Sequence, residues 1–317
     1  MKKKLFFIFR VVIALGILYV LFKFVPYREV LSLFTHSRKI FILIGFGLLF
    51  LDHILASLRW RFVLTHLGIH ISAREAVYTF LSGNFFNLFF PSLIAGDAAR
   101  TLLLTQHIRA PRKIAASVIM DRASGMVALS FITVIAYLWG AEIVNEPQLG
   151  IGVGVMAILG VGVLFVLFHR FFFLMLEKIS FRYAGLNRRV KEFHGEFDII
   201  RRNPSIFFKT VFIYSLIIQI LNSLSFYYLA KGLFVQADMV YFFVFVPLAM
   251  LIACIPVTIA GLGTREVAMV YLFAKIGVAQ PASLGMSLLN FSFLVIMSLI
   301  GGLVYVMVSH RWVQRNP

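Results

Sequence analysis

Charge is scarce in this 317-residue chain and leans one way: 14% of residues are charged, with 30 Lys and Arg against 13 Asp and Glu. Cysteine is almost missing. The single Cys254 excludes an internal disulfide and any cysteine-clustered metal site. No polar stretch is long enough to form a separate soluble domain. The sequence has no nucleophile elbow, no phosphate-cradling glycine loop and no metal-binding helix signature, so catalysis of a familiar soluble kind has no support. His66 and His70 have the i,i+4 spacing of a metal pair. They stand in a basic connection without a third ligand nearby, and they read as solvated. No cofactor and no enzymatic activity are expected.

What is abundant is hydrocarbon. The chain is 61% hydrophobic and 15% aromatic, more apolar surface than a soluble domain of this size can bury. Several apolar runs are long enough to cross a bilayer, so the expected class is an all-α polytopic membrane protein. The formal charge of +17 fits a positive-inside bias and attraction to anionic lipid headgroups better than nucleic-acid binding. Membrane lipids are therefore the expected partners, nucleic acid is not, and protein partners are left undefined.

Six spans are expected: Leu5–Val25, Ile40–Trp60, Ile114–Trp139, Leu149–Phe168, a run from Pro204 to Ala230, and Ser283–Ser309. Lys2, Lys3 and Lys4 precede the first, as in a signal peptide. However, its ~21 apolar residues make ~31 Å of helix with no small-residue cleavage site after them, so it reads as an uncleaved span with a cytoplasmic amino end. Arg59, Trp60 and Arg61 read as an interfacial anchor closing the second span. Ser72 and Glu75 fit a capping box before a helix, Ala76–Phe90, that is too short to cross. Basic residues flank both ends of the segment 76–108, which predicts a re-entrant hairpin turning near Pro91–Gly96. The segment 239–277, interrupted at Pro247 and Pro256, predicts a second hairpin, with full crossing as the alternative. The hairpin keeps the basic carboxyl tail in the cytoplasm. Residues 169–209 read as a basic cytoplasmic linker lying on anionic lipid.

These expectations make one membrane domain of two repeats, 1–140 and 141–317, each ordered span, span, hairpin, span and oppositely oriented. Such an inverted-topology repeat belongs to transporters, with the site at the helix interruptions. The expected location is the cytoplasmic (inner) membrane, with both termini cytoplasmic.

A doubled motif marks the interruptions. Pro91-Ser92-Leu93-Ile94-Ala95-Gly96-Asp97-Ala98-Ala99-Arg100 and Pro256-Val257-Thr258-Ile259-Ala260-Gly261-Leu262-Gly263-Thr264-Arg265 share Pro, Ile, Ala, Gly and Arg at the same offsets. Asp97, Arg100, Arg265 and Glu266 are the chief site candidates. A charge at mid-membrane costs ~2.5–3.5 kcal/mol on insertion scales, so these groups must be paired, wetted or ligand-bound. Asp97 and Arg100 are expected to share a helix face. Gly96, Gly261 and Gly263 leave amide donors suited to an anionic group. Each charge pair reads equally as a ligand site or as a structural clamp on its hairpin. Asp121 and Arg122 read either as a charge pair near the cytoplasmic interface or as the lining of a polar vestibule. Asn84, Asn87 and Asn222, with Gln219, Ser223 and Asn290, are polar groups in apolar surroundings; such groups glue helices together or line a path. Asp52 and His53 read as a satisfied contact, with a proton relay as the second reading.

These motifs resemble those of the flippase-like membrane family known as the lysylphosphatidylglycerol synthase transmembrane region. The residues that carry the resemblance are Asn84 to Pro91, Gly96-Asp97-Ala98-Ala99-Arg100, Ser117 to Gly125 around Asp121-Arg122, and Pro256 to Glu266. The likeness covers nearly the whole chain. Relatives often have Gly where this chain has Ala95, which touches only local backbone geometry. The resemblance implies translocation of a lipid, such as an aminoacylated phospholipid or a polyprenyl-phosphate lipid. The soluble transferase domain of bifunctional relatives is not in this sequence, so synthesis of the lipid is not expected. An intramembrane enzyme using Asp97, Asp121 or Glu266 as acid or base, and a non-transporting scaffold, stand as alternatives.

Overall fold

The computed structural model describes residues 27–89, 93–140, 147–169, 175, 195–198, 202–254 and 262–315. The expected first span, the Pro91 turn, most of the linker, the 140–148 loop beyond its ends, and Pro256 to Gly261 lie outside the described residues. Those described are organised as helices, with no strand among them. We number these α1 Tyr27–His36, α2 Lys39–His66, α3 Ala73–Phe89, α4 Leu93–Thr105, α5 Pro111–Trp139 and α6 Pro147–Phe168. After them come α7 Pro204–Gly232, α8 Met239–Ala253, α9 Thr264–Ala274 and α10 Gln280–Arg315.

Five of these, α2, α5, α6, α7 and α10, are long and apolar enough to cross a bilayer. They coincide with the expected second to sixth spans, so the chain is a multi-pass membrane protein. Local chemistry sets several boundaries. Pro111 occupies the first turn of α5, where its missing N–H costs nothing. Ahead of α3 the capping box forms: the Ser72 amide donates to Glu75 Oε2 at 2.7 Å and the Glu75 amide to Ser72 Oγ at 3.2 Å. α7 contains a π-helical turn over Thr210–Ser215.

The helices α3 and α4 form one hairpin and α8 and α9 another, rooted at opposite ends of the bundle. Leu64, Ile69, Ala76, Leu104 and Ile114 make one cluster, which brings the start of α3 and the end of α4 to the His66–Pro111 end. The second hairpin starts and finishes at the other end, where Asp238 and Lys275 border one cavity with Arg38 and Lys231. The long α10 carries both hairpins. A Cβ at Gly301 or Gly302 would overlap the Leu81 backbone or the Phe85 ring of α3, so close approach requires glycine there. Farther up α10, Ser287 and Asn290 hold Arg265 of α9. α1, a short helix ahead of α2, packs on the start of α10 through Val30 and Leu284.

Candidate functional site

The two motif copies fold into different electrostatic environments. In the first, Arg100 on α4 is 3% exposed and Asp97 is nearly as buried. Arg100 Nη2 lies 3.0 Å from Asp97 Oδ1, one turn back, and 3.0 Å from Asp121 Oδ2 on α5. Arg59 of α2 donates from Nε to Asp121 Oδ1 at 2.7 Å and from Nη1 to Ser215 Oγ at 3.0 Å. Arg122 donates from Nε to Asp97 Oδ2 at 2.8 Å and from Nη2 to Oδ1 at 3.2 Å, a two-pronged grip. Charges therefore alternate along one chain: Arg59, Asp121, Arg100, Asp97, Arg122. Asp121 and Arg122 do not pair as neighbours; each reaches a different charge on the first hairpin.

This network faces a cavity of about 180 Å³ lined by α2, α3, α4 and α5. Asn84, Asn87, Gly96, Asp97, Arg100, Asp121 and Arg122 all border it, as do Asp52, His53 and Arg59. Arg100 Nε is buried without a hydrogen-bond partner, the only such side-chain atom among the described residues. Its guanidinium lies over the Trp60 ring at 4.9 Å and the Phe80 ring at 5.4 Å. An orphaned donor on a buried cation costs about 1–3 kcal/mol. Arg122 is half exposed at the other end of the network.

The hairpin's own geometry closes one side. The Gly96 amide donates to Asn87 Oδ1 at 2.6 Å. A Cβ on Gly96 would overlap the Gly83 carbonyl and the Asn87 amide, so glycine is what allows α3 and α4 to touch here. The amide donor that sequence offers to an anion is thus occupied by a side chain. Asn84 contributes its carbonyl to Ser298 Oγ at 3.2 Å.

In the second copy, Arg265 is saturated. Its Nη2 donates to Glu266 Oε1 at 2.7 Å, its Nε to Ser287 Oγ at 2.9 Å, and its Nη1 to Asn290 Oδ1 at 3.1 Å. Glu266 is fully buried and accepts the Gly263 amide on Oε2 at 2.6 Å. Gly263 has φ +92°, a conformation that disfavours any side chain. The anion that the glycine amides could have bound is here the protein's own Glu266. The pair is neutral and fully bonded, the arrangement of a clamp. Gly261 lies outside the described residues.

Sequence reading missed Arg59 and Trp60. They are not an interfacial anchor, because α2 continues past them to His66 and turns both inward. Trp60 is fully buried and its indole N–H donates to Ser117 Oγ at 3.0 Å. The seven-residue spacing of Asp52 and Arg59, two helical turns, is the signal that would have put them on one face. Asn222 sits on α7, partly buried, and does not border this cavity. Asp52 and His53 contact each other, with His53 Nδ1 3.4 Å from Asp52 Oδ2. His66 and His70 are exposed, and no cluster of metal-ligating side chains occurs among the described residues. Cys254, just past α8, is within electrostatic reach of Arg122 on α5.

One protein-family model, the lysylphosphatidylglycerol synthase TM region, matches residues 7–302. No curated protein matches the chain. The family match ties the chain to a role in membrane-lipid biology.

Proposed function

This chain belongs to the lysylphosphatidylglycerol synthase TM region family, and on that premise we propose that it is a flippase. It would carry an anionic or phosphate-bearing lipid across the cytoplasmic membrane without changing it chemically. The observation that carries the reading is the buried Arg100, whose Nε faces no partner beside a cavity at the first hairpin. The lipid head binds there, between Arg100 and Arg122, while its chains lie along the bilayer-facing helices. Both hairpins are re-entrant, and their opposite roots make the inverted repeat through which the cavity opens alternately to each face. Both termini are cytoplasmic, which places the His66–Pro111 end inside. An intramembrane enzyme fits less well. Asp97 and Asp121 are each held by arginines, so neither is set up as a free acid or base.

Reconstitution into vesicles with a headgroup-labelled phosphatidylglycerol tests this. The expected result is movement of intact label between leaflets that depends on the protein. A chemically converted lipid supports an enzyme instead, and no movement with any anionic lipid supports a scaffold.

A further inference from the structure

We infer that His53 takes up a proton when an anionic headgroup enters the cavity, so that lipid and proton move together. This rests on the carrier reading above and adds its energy coupling.

The inference starts from the charge balance of the cavity wall. Its ionisable lining is Arg59, Arg100, Arg122, Asp52, Asp97, Asp121 and His53. Three cations and three anions cancel when the imidazole is neutral. The empty site is then uncharged overall, as a group of charges withdrawn from water requires. A singly charged head would leave the site with one excess negative charge. One proton on His53 restores neutrality, and of the lining side chains only an imidazole ordinarily changes charge near neutral pH.

Geometry supports that role. His53 Nδ1 is 3.0 Å from the Leu49 carbonyl, which can only accept, so Nδ1 carries a hydrogen and Nε2 is the position that gains or loses the proton. Among the described residues Asp52 makes its one ion pair with His53 and none with an arginine, so the positive charge of an imidazolium has a counter-ion in place. The groups facing His53 can be named element by element. α2 supplies Asp52 and Arg59, α4 supplies Asp97 and Arg100, and α5 supplies Asp121 and Arg122. α3 brings only Phe80, Gly83, Asn84 and Asn87, and α10 brings the Phe293 ring edge-on at 5.6 Å. The three arginines oppose a proton on His53 until an anion arrives between them. Anion and proton therefore favour each other, and the coupling is reciprocal.

The test uses the full-length protein in detergent with short-chain phosphatidylglycerol as the probe. Calorimetry in two buffers of different ionisation enthalpy counts protons taken up per probe bound between pH 5.5 and 8.5. The expected result is uptake approaching about one proton, with affinity falling by up to about tenfold per pH unit as pH rises, the limit for one linked proton. His53→Gln, which keeps a neutral polar side chain, is expected to bind the probe with pH-independent affinity and no proton uptake. Binding without proton uptake in the wild type overturns the inference and leaves the carrier reading standing. Uptake that persists in a folded His53→Gln also overturns it. No probe binding at any pH removes the anion site and this inference together. The wild-type measurement decides even if the variant does not fold.

Discussion

Arg100 on the first hairpin and Asp121 on the third expected span meet at 3.0 Å, both buried, and Arg59 approaches the same carboxylate from the other side. One aspartate thus ties a short helix pair to two membrane-crossing helices. The tie is charged at both ends, so it holds the hairpin in place beside the cavity.

Removing the anion should be costly. Asp121→Ala leaves Arg59 without its ion pair and Arg100 with only Asp97. Breaking a buried pair costs about 3–5 kcal/mol. The expected outcome is a marked fall in thermal midpoint in detergent, read by tryptophan fluorescence. An unchanged midpoint would mean that water, not Asp121, neutralises these arginines.

Arg100→Lys keeps the charge and gives up the planar fork and Nε. The protein should stay folded, while lipid movement falls about tenfold or more, the value of losing a hydrogen bond to a charged group. Wild-type transport by a folded Arg100→Lys would place the head elsewhere.

The second motif copy should respond oppositely. Arg265→Ala leaves the fully buried Glu266 unpaired and is expected to destabilise by about 3–5 kcal/mol. Replacing both at once, Arg265→Met with Glu266→Leu, removes the orphan charge. That double variant should regain most of the stability and retain lipid movement. A stable double variant that moves no lipid would make Arg265 part of the headgroup path.

Gly96→Ala tests the hairpin contact. Its Cβ has no room between the Gly83 carbonyl and Asn87, so α3 and α4 must part. Overpacking of this kind costs about 1–3 kcal/mol. The variant should unfold earlier and move lipid more slowly; Gly47→Ala, with open space around it, should do neither.

Orientation can be read by cysteine labelling in a Cys254→Ser background. A cysteine at Gln236 should react with an impermeant maleimide from outside, and one in the basic tail only after permeabilisation. The reverse pattern would invert the topology.

Much of the fold was legible because hydrocarbon length and helix breakers are one-dimensional signals. The spans after the first, the capping box at Ser72 and the short helices at both interruptions all appear in the structure. The site was half legible. Asp97 and Arg100 share a face as their spacing required, but the alternation through Asp121, Arg59 and Arg122 crosses three helices and has no sequence period. Arg59 was hidden by its company: an Arg-Trp-Arg run near the end of an apolar stretch looks like a headgroup anchor until the helix is seen to continue.

Composition and periodicity alone determined that this chain lives in a bilayer, how its helices are divided, and where charges interrupt hydrocarbon. They left the two copies of the motif equivalent, because both offer glycine, arginine and a carboxylate at similar spacing. Only the tertiary structure separated them. Glu266 folds back onto Arg265 and the Gly263 amide, cancelling the second site internally. Arg100 instead shares its carboxylates with arginines from two other helices, which leaves a buried donor unanswered. Electrostatic balance depends on distance in three dimensions, and that is fixed by packing.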